Sequence, residues 1–401
     1  MTTEQLVLIE LLKSDVTGKE PKIPDGNINW TRVAKESFSQ TVAVSAIVAA
    51  TKIKERIPAD IYNSWFEKAC IFLAKNAIVD NWQKELVQIL SSNNYDYVIL
   101  KGETSASYYK NPQNRILGDV DFLVSTTQKE SVKQLLKSNG YVSHKENHDH
   151  HIVFNKNGAH LEMHHKPAGI PRGKAGVKID NVLSNTLSNT QTKNIGSCNF
   201  AAPSDLYHGL ILLLHTQHHL LYEGIGLRHL CDVVAFVNST KDNSFYSKEF
   251  LPLLKQIGLH TFFSVLVDIA IIYFGVEQPS WHTITDKMVA QEVLEDIISG
   301  GNFGKKDSLR GRSGNLITNH KTDGKKHSKL YNLFRTLKDS TDEVFPIVKK
   351  HPLLYAVYLP YRALKYVILV IKGKRINILK TVPLADKRQK LYDKLHVFDV
   401  K

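Results

Sequence analysis

The sequence predicts an α+β protein, with a small mixed sheet in the middle of the chain and helical regions on both sides. Three observations carry this. Over residues 97–124 a short β-branched run ends at a glycine and is followed, after a turn, by a second apolar run. Asn157-Gly158 sits between two alternating segments, the pattern of a β-hairpin. Before residue 91 and after residue 203 the apolar residues recur at helical spacing. These shifts divide the chain into a helical region over 1–90, a mixed-sheet core over 91–200, a helical domain over 201–300, and a basic loop with a helical C-terminal region over 301–401.

In the first region Leu6, Ile9 and Leu12 mark an apolar face, Val33 to Ala50 forms a second helical segment, and Asp60 caps a third that carries Trp65, Phe66, Ile71 and Phe72. No ligand constellation is evident there. Tyr97 to Leu100 then reads as a strand that Gly102 ends, with a helix predicted over Glu103 to Tyr109 and closed by Asn111-Pro112. The amides at the start of that helix face the strand end, a place suited to phosphate.

Gly118 opens the next strand, in which Asp119 and Asp121 share one face while Val120, Phe122 and Val124 share the other. The two carboxylates are thereby about 7 Å apart at their Cα atoms and can converge on one ion or ion pair. Carboxylates this close on an apolar strand repel one another, and desolvation raises their pKa values. Mg²⁺ compensates such a site, since it takes oxygen ligands from one or two carboxylates and from substrate phosphates. Alone, the spacing fits equally a solvated edge strand paired to Arg115 or a lysine. The glycine-ended strand upstream and the apolar residues flanking both aspartates favour the metal.

Further on, Thr127 to Glu130 has a capping-box pattern and starts a helix that Gly140 ends. In the strand returning from Asn157-Gly158, Leu161 and Met163 face one side, and His160, Glu162 and His164 the other. A helix from Pro203-Ser204-Asp205 carries His208, His215, His218 and His219. His215 and His219 stand at i, i+4, but there is no HExxH glutamate and no third ligand, so pocket-lining or satisfied core histidines are the better readings. Arg228 and Asp232 follow one helical turn apart, where they can pair. The Gly-Ile-Gly before them follows a helix, so it is no dinucleotide fingerprint.

Leu100-Lys101-Gly102, Arg115, and Asp119-Val120-Asp121-Phe122-Leu123-Val124 resemble the polymerase-beta-like nucleotidyltransferase superfamily. More closely, they resemble its bacterial family of uncharacterised nucleotidyltransferases. The resemblance extends over residues 95–235, through Glu162-Met163-His164 and the His218-His219, Gly226-Leu227-Arg228 and Asp232 arrangement. It implies a nucleotidyltransferase-type core that uses two Mg²⁺ ions and a nucleoside triphosphate such as ATP. Asp119, Asp121 and Glu162 would be the metal-binding and catalytic carboxylates, and Lys101, Gly102, Arg115 and Gly118 would hold the nucleotide. His164, His218, His219, Arg228 and Asp232 would form a second wall. Arg115 fits a phosphate contact and a salt bridge positioning the strand equally well. Glu103 departs from the second small residue usual after the glycine. The expected reaction is transfer of a nucleoside monophosphate to a hydroxyl of a small molecule, sugar, RNA or protein. The alternatives are phosphotransfer on the same scaffold and nucleotide binding without turnover.

Composition agrees with a soluble globular chain, 42% hydrophobic and 23% charged over 401 residues. Three cysteines, Cys70, Cys198 and Cys231, with no CxxC pair, indicate a reduced, cytoplasmic setting. The acidic N-terminus lacks the basic region of a secretory signal. A net charge of +13 favours an anionic partner. Part of that charge lies at Lys305, Lys306, Arg310, Arg312, Lys321, Lys325, Lys326 and Lys329, within a polar stretch from Gly300 expected to be a long mobile loop. Leu353 to Ile371 is strongly apolar but has Pro360, Arg362 and Lys365 in its middle. It reads as a buried or interfacial helix, and its basic flanks allow peripheral contact with an anionic membrane.

Overall fold

Five strands build the central sheet in the order β1-β2-β5-β4-β3, with a separate two-stranded sheet, β6-β7. A computed structural model of the chain describes residues 1–143, 151–167, 169–171, 173–196, 198–307, 309–311, 313, 328–373 and 381–397. The helices before the sheet are α1 (Thr3–Thr17), α2 (Trp30–Ser39), α3 (Ala43–Ala50) and α4 (Ala59–Ser92). The sheet region comprises β1 (Tyr97–Leu100), α5 (Gly102–Ala106), β2 (Val120–Val124), α6 (Lys129–Ser138), β3 (Val142–Ser143), β4 (His151–Lys156), β5 (Ala159–His164), α7 (Gly173–Leu183), β6 (Thr190–Ile195) and β7 (Cys198–Pro203). Helices α8 (Asp205–Tyr222), α9 (Leu227–Ser239), α10 (Leu251–Ile257), α11 (His260–Phe274) and α12 (Lys287–Gly300) follow. After them come α13 (Lys329–Val344), α14 (Tyr355–Ile371) and α15 (Val382–Lys394). The architecture is α+β, as the sequence predicts.

The sheet is mixed. β1 runs antiparallel to β2, β2 parallel to β5, and β5 antiparallel to β4. Asn157 and Gly158, both at positive φ (48° and 85°), form the two-residue turn between Lys156 and Ala159 that the sequence predicts. That turn sets the register. Leu161 and Met163 are fully buried, which directs Glu162 to the opposite face. The core beneath the sheet gathers Ile99, Phe122, Val124, Phe154, Leu161 and Met163 with Leu86 and Leu90 of α4. A larger helical core joins α1, α3, α8, α9, α11 and α12.

Several local expectations are corrected. The buried face of α1 is Val7, Leu8, Leu11 and Leu12 with Ile9, and Leu6 is exposed, because α1 packs against α2, α3 and α11 rather than along one seam. Val33 to Ala50 is split into α2 and α3 around Thr41, at φ 59°. α4 is capped at Pro58, not Asp60. Trp65 is buried, but Phe66 and Ile71 lie on its exposed side. α6 forms no capping box, and Ser125 Oγ accepts from the Gln128 amide instead. The strand predicted to open at Gly118 begins at Val120. Arg310 belongs to no solvated loop. It is buried and paired with Asp296. Arg312, Lys321, Lys325 and Lys326 lie outside the described residues. Leu353 to Ile371 is not buried: no residue of α14 is.

Helix α4 does more than cover the sheet. Asn76 donates to the carbonyls of Gln113 (3.1 Å) and Arg115 (2.9 Å) and accepts from the Leu117 amide (2.8 Å). One buried side chain thus holds the turn leading into β2. Asn76→Ala strands a buried amide and two carbonyls, and it is expected to lower unfolding free energy by about 3 kcal/mol. Urea denaturation checks this, and an unchanged midpoint contradicts it.

Candidate functional site

The sheet and α8–α9 face one another across a cleft of about 380 Å³. β2 supplies its floor. Parallel pairing sets Asp121 beside Glu162 in register, and Asp119 precedes Asp121 at the strand's N-terminal edge, so all three carboxylates line the cleft. Lys101 reaches in from the turn after β1, with its Nζ 2.7 Å from Asp121 Oδ1. Its backbone sits at φ 40°, a strained value for a lysine, and Gly102 follows at φ 26°. Strain held at one turn beside three carboxylates is typical of a functional site rather than of a plain strand-to-helix link.

Asp121 is the most constrained member. His164 Nε2 also lies 2.7 Å from its Oδ1. Burial works to raise its pKa, but the charges of Lys101 and His164 prevail and hold it well below the usual carboxylate range. Asp119 goes the other way: burial and the charge of Asp121 raise it. Burial opposes ionisation of Glu162 too, yet the neighbouring His164, 3.6 Å away, and the charge of Lys101 bring it below its ordinary value. For His164, burial is outweighed by the hydrogen bond to Asp121 and the nearby carboxylate of Glu162, so it is raised.

Glu103 does not enter the cleft. Its carboxyl accepts from Gln83 Nε2 at 2.8 Å beneath α5, and burial beside Asp80 pushes it up to about 9. The departure at this position therefore leaves the cleft open. α5 itself spans Gly102–Ala106 rather than Glu103 to Tyr109. Five residues give it little dipole to offer a phosphate.

The opposite wall is built by α8 and α9. Arg115 donates to both oxygens of Asp232, at 2.7 and 2.8 Å, and Tyr109 donates to the same carboxylate at 2.7 Å. The expected Arg228–Asp232 pair is thus not formed. Asp232 is saturated by Arg115, and Arg228 donates to the Ile116 carbonyl at 3.3 Å. Arg115 and Arg228 both line the cleft, and Asp232 stands behind Arg115. His215, His218 and His219 line it with His151 and Phe303. His215 and His219 rings are 4.5 Å apart, and Phe303 is 4.9 Å from His219.

All the predicted site residues except Asp232 line one cleft. The sequence reading did not single out His151 or Phe303 for it. His151 is placed by pairing directly opposite His164 across β4 and β5, and Phe303 comes from beyond α12. Ligand atoms of His151, Glu162 and His164 lie within 4.8 Å of one another, as do those of Asp119, His160 and Glu162. Either group could hold a cation.

Comparison with known proteins gives the family. The chain belongs to the family of uncharacterised nucleotidyltransferases, whose family model matches residues 26–275. No curated protein matches it. Among solved structures it is similar to an antigenic nucleotidyltransferase-like protein from Paracoccidioides brasiliensis, at 18% identity, over 45% of this chain and 84% of that one. The TM-score is 0.29, too low to carry any argument here.

The histidine wall has a consequence for stability. Burial, then the charges of Arg228, His219, Arg115 and Lys101, hold His229 well below 6.5, and both its ring nitrogens lack a hydrogen bond. Burial does the same to His215 and brings His218 down to about 4 and His208 to about 3. Because their folded pKa values are lowered, the unfolded chain binds the extra protons first. Stability should fall as pH drops below about 6.5, by about 1.4 kcal/mol per pH unit for each such histidine. His164, being raised, opposes this but is outnumbered. Urea midpoints at pH 7 and pH 5 should therefore differ, and His229→Phe should flatten the slope. A pH-independent midpoint over that range contradicts the assignment.

Proposed function

We propose that the protein is a Mg²⁺-dependent nucleotidyltransferase, moving a nucleoside monophosphate from a nucleoside triphosphate to a hydroxyl acceptor. The observation that carries this is the convergence of Asp119, Asp121 and Glu162 in one cleft facing Lys101, Arg115 and Arg228.

The donor set fits the cation that such chemistry uses. Three carboxylates offer hard oxygen ligands, and the raised pKa of Asp119, caused by burial and by Asp121, is that of an anionic cluster short of positive charge. Asp119, Asp121 and Glu162 would hold the ions, which supply charge neutralisation at the attacking and leaving oxygens. Lys101 pairs with Asp121 at 2.7 Å, so it can turn to a phosphate oxygen when Asp121 engages a cation. Arg228, held by one long hydrogen bond, is the more available guanidinium. Arg115, already bidentate to Asp232, positions the wall and adds its charge to the cleft. Glu162, partly exposed and next to His164, would hold the acceptor-side ion or take the acceptor's proton.

The test is to incubate the protein with each nucleoside triphosphate, Mg²⁺ and candidate hydroxyl acceptors, and to measure pyrophosphate against nucleoside diphosphate. Pyrophosphate is expected, and diphosphate release would mean phosphotransfer instead. Asp119→Asn and Asp121→Asn should each abolish turnover while leaving the melting curve cooperative. Glu162→Gln should lower turnover by orders of magnitude with little change in nucleotide affinity, and near-normal turnover would remove Glu162 from the site.

A further inference from the structure

The C-terminal helices carry an apolar surface that nothing among the described residues covers. α13 and α14 pack on one another: Tyr355 donates to Asp342 at 2.5 Å, Arg362 donates to Ser340 Oγ at 2.5 Å, and the rings of Phe345 and Tyr358 are 4.5 Å apart. These contacts use one face of α14. On the opposite face Val357, Leu364, Ile368 and Ile371, with Leu353 just before the helix and Tyr361 at the stripe's edge against Phe345, recur every three or four residues, all exposed, Leu353 at 91% and Ile371 at 79%. Such spacing makes one continuous stripe. Among the described residues, none between 328 and 373 joins the hydrophobic clusters of the body. An apolar stripe of this length on a soluble surface marks an interaction site.

Charge identifies what covers it. Between Glu343 and Asp386 the sequence has no acidic residue and eight lysines and arginines. Lys349 and Lys350 are exposed at one end of the stripe and Lys372 at the other, and Lys365 lies 5.9 Å from the Tyr361 ring beside it. A protein partner would have to match a bare apolar stripe ringed by cations on both ends. An anionic bilayer supplies both parts at once: acyl chains for the stripe and phosphate headgroups for the lysines.

We infer that α14 docks this protein on anionic membranes, lying in the interface with its apolar stripe toward the acyl chains. Residues 352–371 are long and apolar enough to cross a bilayer. Two features set the helix flat instead. Arg362 and Lys365 sit in mid-helix, where crossing costs most, and the face opposite the stripe is bonded to Ser340 and Asp342 of α13. The inference stands independently of the catalytic reading.

Co-sedimentation of the full chain with phosphatidylcholine vesicles, with and without phosphatidylglycerol, tests it. Binding is expected only with phosphatidylglycerol, should weaken with salt, and should be released by alkaline carbonate. Leu364→Glu with Ile368→Glu should abolish it. Lys349→Ala with Lys350→Ala, which leaves the stripe intact and guards against misfolding of the first variant, should weaken it roughly thirtyfold. Failure to bind, equal binding to neutral vesicles, or resistance to carbonate overturns the inference. So does a dimer in solution that Leu364→Glu dissolves, since the stripe would then belong to a second copy.

Discussion

The cleft depends on the buried contact between Arg115 and Asp232. Arg115 lies in the turn entering β2, and Asp232 lies on α9, so this bidentate pair joins the sheet to the helical domain at the site itself. Tyr109 completes the carboxylate's hydrogen bonds. A buried ion pair gains little over an apolar contact of the same shape, but losing one partner leaves an unpaired buried charge at about 3–5 kcal/mol. What it contributes is therefore geometry: it fixes how far the wall bearing His215, His218, His219 and Arg228 stands from the floor bearing Asp119 and Asp121. Asn76 secures the same turn from below, through the carbonyl of Arg115 itself.

Within that frame the floor is balanced by charges that differ in availability. Asp121 is satisfied twice, by Lys101 and His164, while Asp119 carries the strain of its neighbour's charge. A cation entering between Asp119, Asp121 and Glu162 would relieve Asp119 and free Lys101 together, so metal and phosphate would enter as coupled events. Burial holds His215 and His218 below the usual histidine range, which leaves the positive charge of the cleft on Lys101, Arg115 and Arg228, where an anionic substrate would need it.

Much of this was legible in the sequence because it is local. The strand β2, the Asn157-Gly158 hairpin and the facing of Glu162 follow from two-residue periodicity and turn chemistry. That Asp121 and Glu162 are neighbours depends on a parallel pairing between distant strands, and only the family resemblance reached it. The partner of Arg115 was open between phosphate and a salt bridge. Tertiary placement decided for Asp232, which local spacing had assigned to Arg228. Leu6, set by its spacing on an apolar face, is exposed because α1 packs on several sides, and Phe66 and Ile71 of α4 are exposed beside the buried Trp65. Asn76, His151 and Phe303 carried no local signal, since each matters through a contact far along the chain. The β6–β7 hairpin was missed because half of Thr190–Ile195 is exposed and polar.

The proposed site for the cations is formed by Asp119, Asp121 and Glu162 and shares Asp121 with Lys101. It is tested most directly by a crystal structure of the protein with Mn²⁺ and a non-hydrolysable nucleoside triphosphate, using anomalous scattering to locate the metal. A manganese peak is expected among the three carboxylates, with Lys101 Nζ moved off Asp121 and onto a phosphate oxygen. Nucleotide bound in the cleft with no peak there, and the Lys101–Asp121 pair unbroken, would contradict it.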